Sequence, residues 1–525
     1  MKPMDFLLHH LLRRNAEQLP DKEALVDGGI RVTYQEFFRN VLGLAQGLRN
    51  AGLSRGERVA VYLDAGLAQA TAIFGISQSS GVVVPINHQL LPGQMAHICN
   101  DCQASALITS SSRLGRLSEA LPQIKSLRFV VIVADDESEP VVPIDSYTFG
   151  TLLQSAVQLP WIESSISHDL AAILYTSGST GKPKGVMLSH ANIMAGTSIV
   201  ASYLGISEND RILAVLPFSF DAGLNQLTTA IQQGATCILA RFALARSVVK
   251  LLEEERVTGL AGVPTFWSLM AQRTSGLGKS NTTLRYITNT GGTMPQTVLA
   301  TLRKFLPNTA IFLMYGLTEA FRSTYLPPEQ LDDRPTSIGK AIPNTEIMVI
   351  DNGKLCASGQ VGELVHRGPT VAMGYWNNPK ASAEIFRPNP LAPSEIANRE
   401  IVCYSGDLVK TDAEGYIYYV GRRDTMIKSS GYRISPSEVE DVLFQSGMIR
   451  HAAVIGVPDS MLGQSIIAFV TAREGEQIDV KELLAHCSQK MPRYMLPRAI
   501  QVLSDLPKTN SGKVDYRRLC EITAS

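Results

Sequence analysis

The chain has 525 residues, 45% of them hydrophobic and 18% charged, with 48 basic and 48 acidic side chains. That length accommodates two or more domains, one of them large, and the balanced charge leaves no global field to draw in nucleic acid or an anionic membrane. Seven cysteines in so long a chain do not make a disulfide scaffold and fit a reducing, cytoplasmic setting. Residues 1–14 carry Asp5 early and Arg13 and Arg14 after their apolar residues, the wrong charge order for a secretion signal. Phe6, Leu7, Leu8, Leu11 and Leu12 fall at helical spacing and predict an amphipathic helix of the fold. Cys99 and Cys102 form a lone C-x-x-C with no second pair at zinc spacing, so they read as core or surface thiols. The apolar run at residues 129–134 is among the longest, far short of the roughly 18 residues that a membrane span needs.

From residue 170 onward, short apolar runs alternate with helical patterns. Strands are predicted at 170–175, 212–216, 236–240, 259–263, 286–290 and 310–315, with one helix at 224–233 and another closing near 251–256. Glu253-Glu254-Glu255-Arg256 reads as that helix's solvated face. Such alternation predicts an α/β domain of mostly parallel strands, whose ligands gather at the strands' C-terminal ends. The glycine- and threonine-rich segments follow Tyr175, surround Thr290-Gly291-Gly292-Thr293 and follow Tyr315, all at such ends. After residue 423 a smaller α+β pattern begins, with helices at 436–445 and 480–490 and strands at 452–457, 466–472 and 500–503.

The ten residues from Thr176 to Gly185 read T-S-G-S-T-G-K-P-K-G. Glycines free the backbone to expose its N–H groups, while hydroxyls and lysines add donors and positive charge, a combination suited to a polyphosphate. The spacing is not that of a P-loop, because only two residues separate Gly178 from Gly181 where four are required. Near the end of the last strand, Tyr315-Gly316-Leu317-Thr318-Glu319 offers an aromatic ring for a purine, a hydroxyl for a phosphate and one carboxylate for Mg²⁺.

The ordered string at Thr176–Gly185 closely resembles the signature loop of the AMP-forming adenylating superfamily: acyl-CoA synthetases, peptide-synthetase adenylation domains and luciferases. Five further motifs fall in the family's order. Gly291-Gly292-Thr293 resembles its adenine-facing segment, and Tyr315-Gly316-Leu317-Thr318-Glu319 its second signature. Tyr404-Ser405-Gly406-Asp407 resembles Y-x-T-G-D with Ser for Thr, and Gly421-Arg422-Arg423-Asp424 through Lys428 to Arg433 resembles the hinge motif. Pro507-Lys508-Thr509-Asn510-Ser511-Gly512-Lys513 matches the C-terminal P-K-T-x-x-G-K. The resemblance implies a large N-terminal multi-sheet α/β domain, residues 1–423, and a small mobile C-terminal α+β lid, residues 424–525. It implies that Thr176, Ser177, Gly178, Ser179, Thr180, Gly181 and Lys184 hold ATP phosphates, that Asp407 accepts the ribose hydroxyls and that Arg422 contacts the nucleotide. Lys513 becomes the catalytic lysine, acting with Thr318 and the magnesium-holding Glu319; Asp424 becomes the pivot, with Lys428 and Gly431 in the thiolation loop. ATP, Mg²⁺ and a thiol, either CoA or phosphopantetheine, are the implied cofactors.

Phe218-Ser219-Phe220-Asp221-Ala222 resembles the S-F-D-A-S segment of amino-acid-activating adenylation domains, whose aspartate pairs with the substrate ammonium. Asp221 then either meets an ammonium group or pairs internally with Arg322; a buried carboxylate left unpaired is costly. By the same alignment Asn225, Ala261, Thr288, Thr290, Met314 and Ser323 line the pocket beside Phe220, Asp221 and Arg322. A small amino or imino acid, proline among the candidates, is the leading expectation, and a small or medium-chain non-amino acid is the alternative. No G-G-[DH]-S pattern supplies a phosphopantetheine serine, so the acceptor comes from outside, with a separate carrier protein expected ahead of CoA.

Overall fold

The computed structural model describes residues 5–135, 143–158, 161–176, 183–241, 245–272, 283–422, 426–473, 476–507 and 514–524. Three sheets organise them, of eight, fifteen and five strands. In the eight-stranded sheet, Arg58–Tyr62, Val82–Pro85, Ala106–Ser110 and Phe129–Val133 run parallel. These are near-continuous apolar runs, as strands covered on both faces require. Leu170–Thr176 pairs parallel with Val82–Pro85 and then antiparallel with Lys184–Ser189, so that Thr176 faces Lys184 across the pair.

The parallel core of the fifteen-stranded sheet is Arg211–Ala214, Thr236–Leu239, Gly259–Gly262, Tyr286–Asn289 and Ala310–Tyr315. Every strand expected from the sequence is present, but the first four end one or two residues early. The residues left over have a reason to leave the ladder: Val215, Leu216, Ala240, Val263 and Thr290 line a cleft at the strands' C-terminal ends. Beyond Tyr315 the sheet turns antiparallel through Thr324–Leu326, Ser337–Ala341, Ile417–Arg422, Ile401–Thr411, Gly362–Arg367 and Glu346–Asp351. Sequence periodicity does not reveal these strands. Register shifts at Ser337/Gly339, Glu363/Val365 and Leu408/Val409 interrupt the two-residue alternation that would mark them.

The five-stranded sheet comprises Ile427–Ser429, Tyr432–Ile434, Ile449–Asp459, Gly463–Ala472 and Ala499–Leu503. Helices Pro436–Gln445 and Val480–Lys490 have the limits that the sequence predicts. Ile427, Ile434, Val439, Leu443, Val454 and Leu483 form a core of their own there, separate from the cores of the two larger sheets. The expected boundary at 423/424 falls outside the described residues.

At the N-terminus the helix is His10–Gln18, preceded by buried Leu7 and Leu8. The Glu253–Arg256 run is not wholly solvated. Glu255 is buried, and its oxygens pair with Arg31 Nη2 at 2.8 Å and Arg211 Nη2 at 2.5 Å. Cys99 and Cys102 are free and buried in the core, and burial pushes the Cys102 thiol up to about 12. Among the described residues no helix is long and apolar enough to cross a membrane.

Candidate active site

The cleft at the strand ends encloses about 750 Å³, within the usual range for small-molecule sites. Its walls bring together the motif residues Thr176, Gly291, Gly292, Thr293, Tyr315, Gly316 and Thr318 from the large sheets. Phe220, Asp221, Thr290, Met314 and Arg322 line the side that the resemblance assigns to the acyl group, and Lys428 and Gly431 enter from the small domain. Asn225, Ala261 and Thr288 line a second, smaller space adjoining it. Ser323 is fully buried next to Arg322 and reaches neither lining. Ser177, Gly178, Ser179, Thr180, Gly181, Asp424, Lys508 and Lys513 lie outside the described residues. Arg422 pairs with Asp407 across two strands, which fixes its place in the register.

On the side that the resemblance assigns to the nucleotide, two buried carboxylates stand behind the cleft wall. Asp407 accepts a hydrogen bond from the Tyr315 hydroxyl, and Ser405 braces it by donating to Leu364 O at 2.7 Å while accepting from Asp407 N at 3.1 Å. The hydroxyl that the motif needs is therefore kept by Ser where Thr is usual. Glu319 Oε1 accepts from Tyr375 Oη at 2.8 Å, whereas its buried Oε2 carries no hydrogen bond. Arg433 reaches over from the small domain to 3.9 Å from Glu319 Oε2 and 3.9 Å from Asp407 Oδ2. Burial alone would lower its pKa, but the Asp407 and Glu319 carboxylates outweigh it and hold the guanidinium above its ordinary value. The Tyr315 ring stacks on His366, whose two ring nitrogens are both buried without partners. Burial pushes the His366 imidazole down to about 3. Lys184 Nζ lies 5.2 Å from the Tyr375 ring centre.

The turn that delivers Thr318, Glu319 and Arg322 is tight. Gly316 approaches so closely that a Cβ there would lie 3.2 Å from Arg322 Cα. Phe321 takes the left-handed conformation at φ +47°, uncommon for an aromatic residue, and is held there by full burial. Arg322 emerges from this turn into the acyl side and donates from Nη1 to Asp221 Oδ2 at 3.0 Å, with side chains 5% and 16% exposed. Asp221 opens the helix Asp221–Gln233, where a carboxylate suits the positive end of the helix dipole, and Asn225 follows one turn later on the same face. Of the two readings that the sequence leaves open for Asp221, the internal pair is the one built.

The small domain docks by a hairpin. Ile427–Ser429 and Tyr432–Ile434 are joined by two residues, Ser430 and Gly431, at φ +54° and +82°. Two successive positive φ values define the tight turn that favours glycine. A Cβ on Gly431 would meet Val263 Cγ1 at 2.8 Å, so this glycine also permits a close approach between the domains. Next to it Tyr432 meets Phe220 edge-on at 5.1 Å and stacks on Tyr494 at 3.6 Å. Arg433, Tyr375, Tyr432, Tyr494 and His366 are site residues that motif reading passes over. Only Tyr432 and Arg433 carried a signal, their place in the segment from Lys428 to Arg433 that resembles the hinge motif.

This geometry agrees with what the chain is similar to. The AMP-binding enzyme family matches residues 12–376, and its C-terminal domain matches residues 438–513. A feruloyl-CoA synthase of Amycolatopsis sp is 30% identical over 95% of this chain and 96% of its own. Tyrocidine synthase 3 of Brevibacillus parabrevis is also 30% identical over 98% of this chain, which spans only 8% of that protein. The o-succinylbenzoate CoA synthetase of Bacillus subtilis, 26% identical, superposes with a TM-score of 0.84 when bound to a CoA product analogue, covering 97% of this chain and 98% of that one. The same enzyme with ATP and magnesium, covering 96% of this chain and 98% of that one, superposes at 0.68. With family matches over both domains and a near full-length relative at that identity, the chain belongs to the AMP-binding enzyme family, among the AMP-forming carboxylate–thiol ligases.

Proposed function

We propose that the protein uses ATP to activate a small, non-amino carboxylic acid as an acyl-adenylate, releases pyrophosphate and passes the acyl group to CoA. The observation that carries the choice of acid is the Asp221–Arg322 pair. An ammonium partner for Asp221 is demanded only if that carboxylate lacks a cation, and Arg322 supplies one. The case for a carrier protein rests on an amino-acid pocket and weakens with it. The feruloyl-CoA synthase that matches this chain almost end to end supports CoA.

In this reading Thr176 to Gly181 and Lys184 cradle the phosphates, Asp407 accepts the ribose hydroxyls and Arg422 contacts the nucleotide. Tyr315, Gly316 and Gly291 to Thr293 border the adenine. Lys513 bridges the substrate carboxylate and α-phosphate, offsetting the repulsion between two anions that must meet. Glu319 Oε2, buried and without a hydrogen bond, suits a hard cation. Magnesium bound there would neutralise charge on the departing pyrophosphate. Division at 423/424, with Asp424 as pivot, lets the small domain exchange Lys513 for the Gly431 hairpin between the two half-reactions.

The test is product analysis with ATP, Mg²⁺ and a panel of acids, offering CoA and a phosphopantetheinylated carrier in separate arms. AMP, pyrophosphate and an acyl-CoA are the expected products. ADP in place of AMP would overturn the reaction, the best turnover with amino acids would overturn the choice of acid, and acylation confined to the carrier would overturn CoA.

A further inference from the structure

His9, His10 and Glu163 line neither space of the candidate active site, yet they converge on one another. His9 Nε2 lies 2.8 Å and His10 Nε2 3.3 Å from the same oxygen, Glu163 Oε2. The three ligand-type atoms all fall within 4.8 Å of one another. His9 and His10 are 1% and 6% exposed, whereas the Glu163 side chain keeps 29% of its surface. His10 opens the helix His10–Gln18, and Glu163 follows 153 residues later, shortly before the strand Leu170–Thr176. Only the tertiary fold brings them together. Behind His9, Ser77 near the end of the helix Leu67–Gln78 places its Oγ 3.0 Å from Nδ1.

Two imidazoles and one carboxylate ordinarily sum to a single negative charge at neutral pH. Such a nitrogen-rich set suits a borderline cation such as zinc better than a hard one. Zinc bonds of about 2.0–2.2 Å, arranged tetrahedrally, set ligand atoms roughly 3.3 Å apart. The pairs at 2.8 and 3.3 Å lie near that spacing, and a pair no wider than 4.8 Å closes to it by side-chain rotation. A neutral ring that binds through Nε2 carries its proton on Nδ1. For His9 that proton meets Ser77 Oγ, the kind of outer partner that orients a metal-bound imidazole. For His10 it displaces the bond that Phe6 N donates to Nδ1 at 3.3 Å; Phe6 is 51% exposed, so water can take over its amide. We propose that His9 and His10, through Nε2, together with Glu163 hold a Zn²⁺ ion that fastens the N-terminal helix to the segment leading into Leu170–Thr176. Water from the exposed side of Glu163 completes the coordination. No step of the ligase reading depends on this ion.

The experiment strips the full chain with a chelator, removes the chelator and titrates zinc chloride by calorimetry, with magnesium and calcium chloride in separate arms. One Zn²⁺ per chain should bind and raise the thermal unfolding midpoint, and excess Mg²⁺ or Ca²⁺ should not displace it. Glu163→Gln and His9→Gln should each weaken Zn²⁺ binding by more than about a hundredfold and abolish the rise in midpoint. Ser77→Ala should weaken binding roughly tenfold, the lower end for loss of an outer partner. Should these variants fail to fold, anomalous diffraction from zinc-soaked crystals of the native chain decides by itself. A peak between the three side chains would sustain the site, and a peak elsewhere or none would overturn it. Absence of stoichiometric binding, or equal affinity in the native and Glu163→Gln chains, would overturn the proposal and leave a hydrogen-bonded clamp. Tighter binding of Mg²⁺ or Ca²⁺ than of Zn²⁺ would overturn the choice of zinc.

Discussion

The two sides of the cleft solve the same electrostatic problem differently. On the acyl side the buried carboxylate of Asp221 is matched by Arg322, which rises from the turn after Ala310–Tyr315 in the same large domain. On the nucleotide side Glu319 and Asp407 face Arg433, which belongs to the small domain. A cation from the same sheet end is fixed by the fold, whereas a cation from another domain can be withdrawn. In the proposed reaction the acyl pocket is thus preset through both half-reactions, while the charge offered to the nucleotide depends on how the small domain is docked. A division of this kind lets one domain keep specificity constant as the other changes the chemistry.

The severest way to break the comparison is to remove the proposed catalytic cation of the small domain. Lys513→Ala should reduce acid-dependent pyrophosphate exchange roughly a hundred- to a thousandfold while sparing thioester formation from a supplied acyl-adenylate. Near-normal exchange would show that the nucleotide side does not borrow its catalytic charge from Lys513. The acyl side is probed by stability. Asp221→Ala should lower the unfolding free energy by about 3 kcal/mol, the lower end for stranding one member of a buried ion pair. The double replacement Asp221→Ala with Arg322→Met should recover most of it in urea titrations. If single and double variants are equally unstable, the pair is not the unit described here.

Arg433→Ala sharpens the contrast more gently. Two contacts at 3.9 Å on a partly exposed guanidinium are each worth about 1 kcal/mol or less. The thioester half-reaction should therefore fall about tenfold and pyrophosphate exchange should hold, and an equal fall in both would place Arg433 in adenylation as well. The smallest expected effect is pH-dependent and lies beneath Tyr315. Folding lowers the His366 pKa from 6.5 to about 3, so the unfolded chain binds the extra proton. Stability from this group is complete above pH 6.5 and is lost as pH falls towards 3. At pH 5.5 His366→Phe should be less acid-sensitive than the native chain by about 1 kcal/mol. Parallel acid-unfolding curves for the two proteins would refute this.

Motifs and periodicity fix much of what matters here. The chemistry-bearing segments are local, and the run from Ala310 to Tyr315 and the helices Pro436–Gln445 and Val480–Lys490 follow from apolar spacing alone. The first three cleft-lining segments are legible too, because glycines and hydroxyls at the ends of parallel strands form a short-range pattern. Pairing is another matter. That Asp221 meets Arg322, 101 residues away, depends on a left-handed Phe321 and a close-set Gly316, neither of which has a signature in the string of residues. The antiparallel strands beyond Tyr315 were equally silent, since bulges break their alternation. Sequence by itself determined the family and its class of carboxylate–thiol ligase, because those rest on motifs of contiguous residues. Only the tertiary structure decided which charges cancel and which polar atoms stay unpaired, because both depend on distances set by the packing of remote elements.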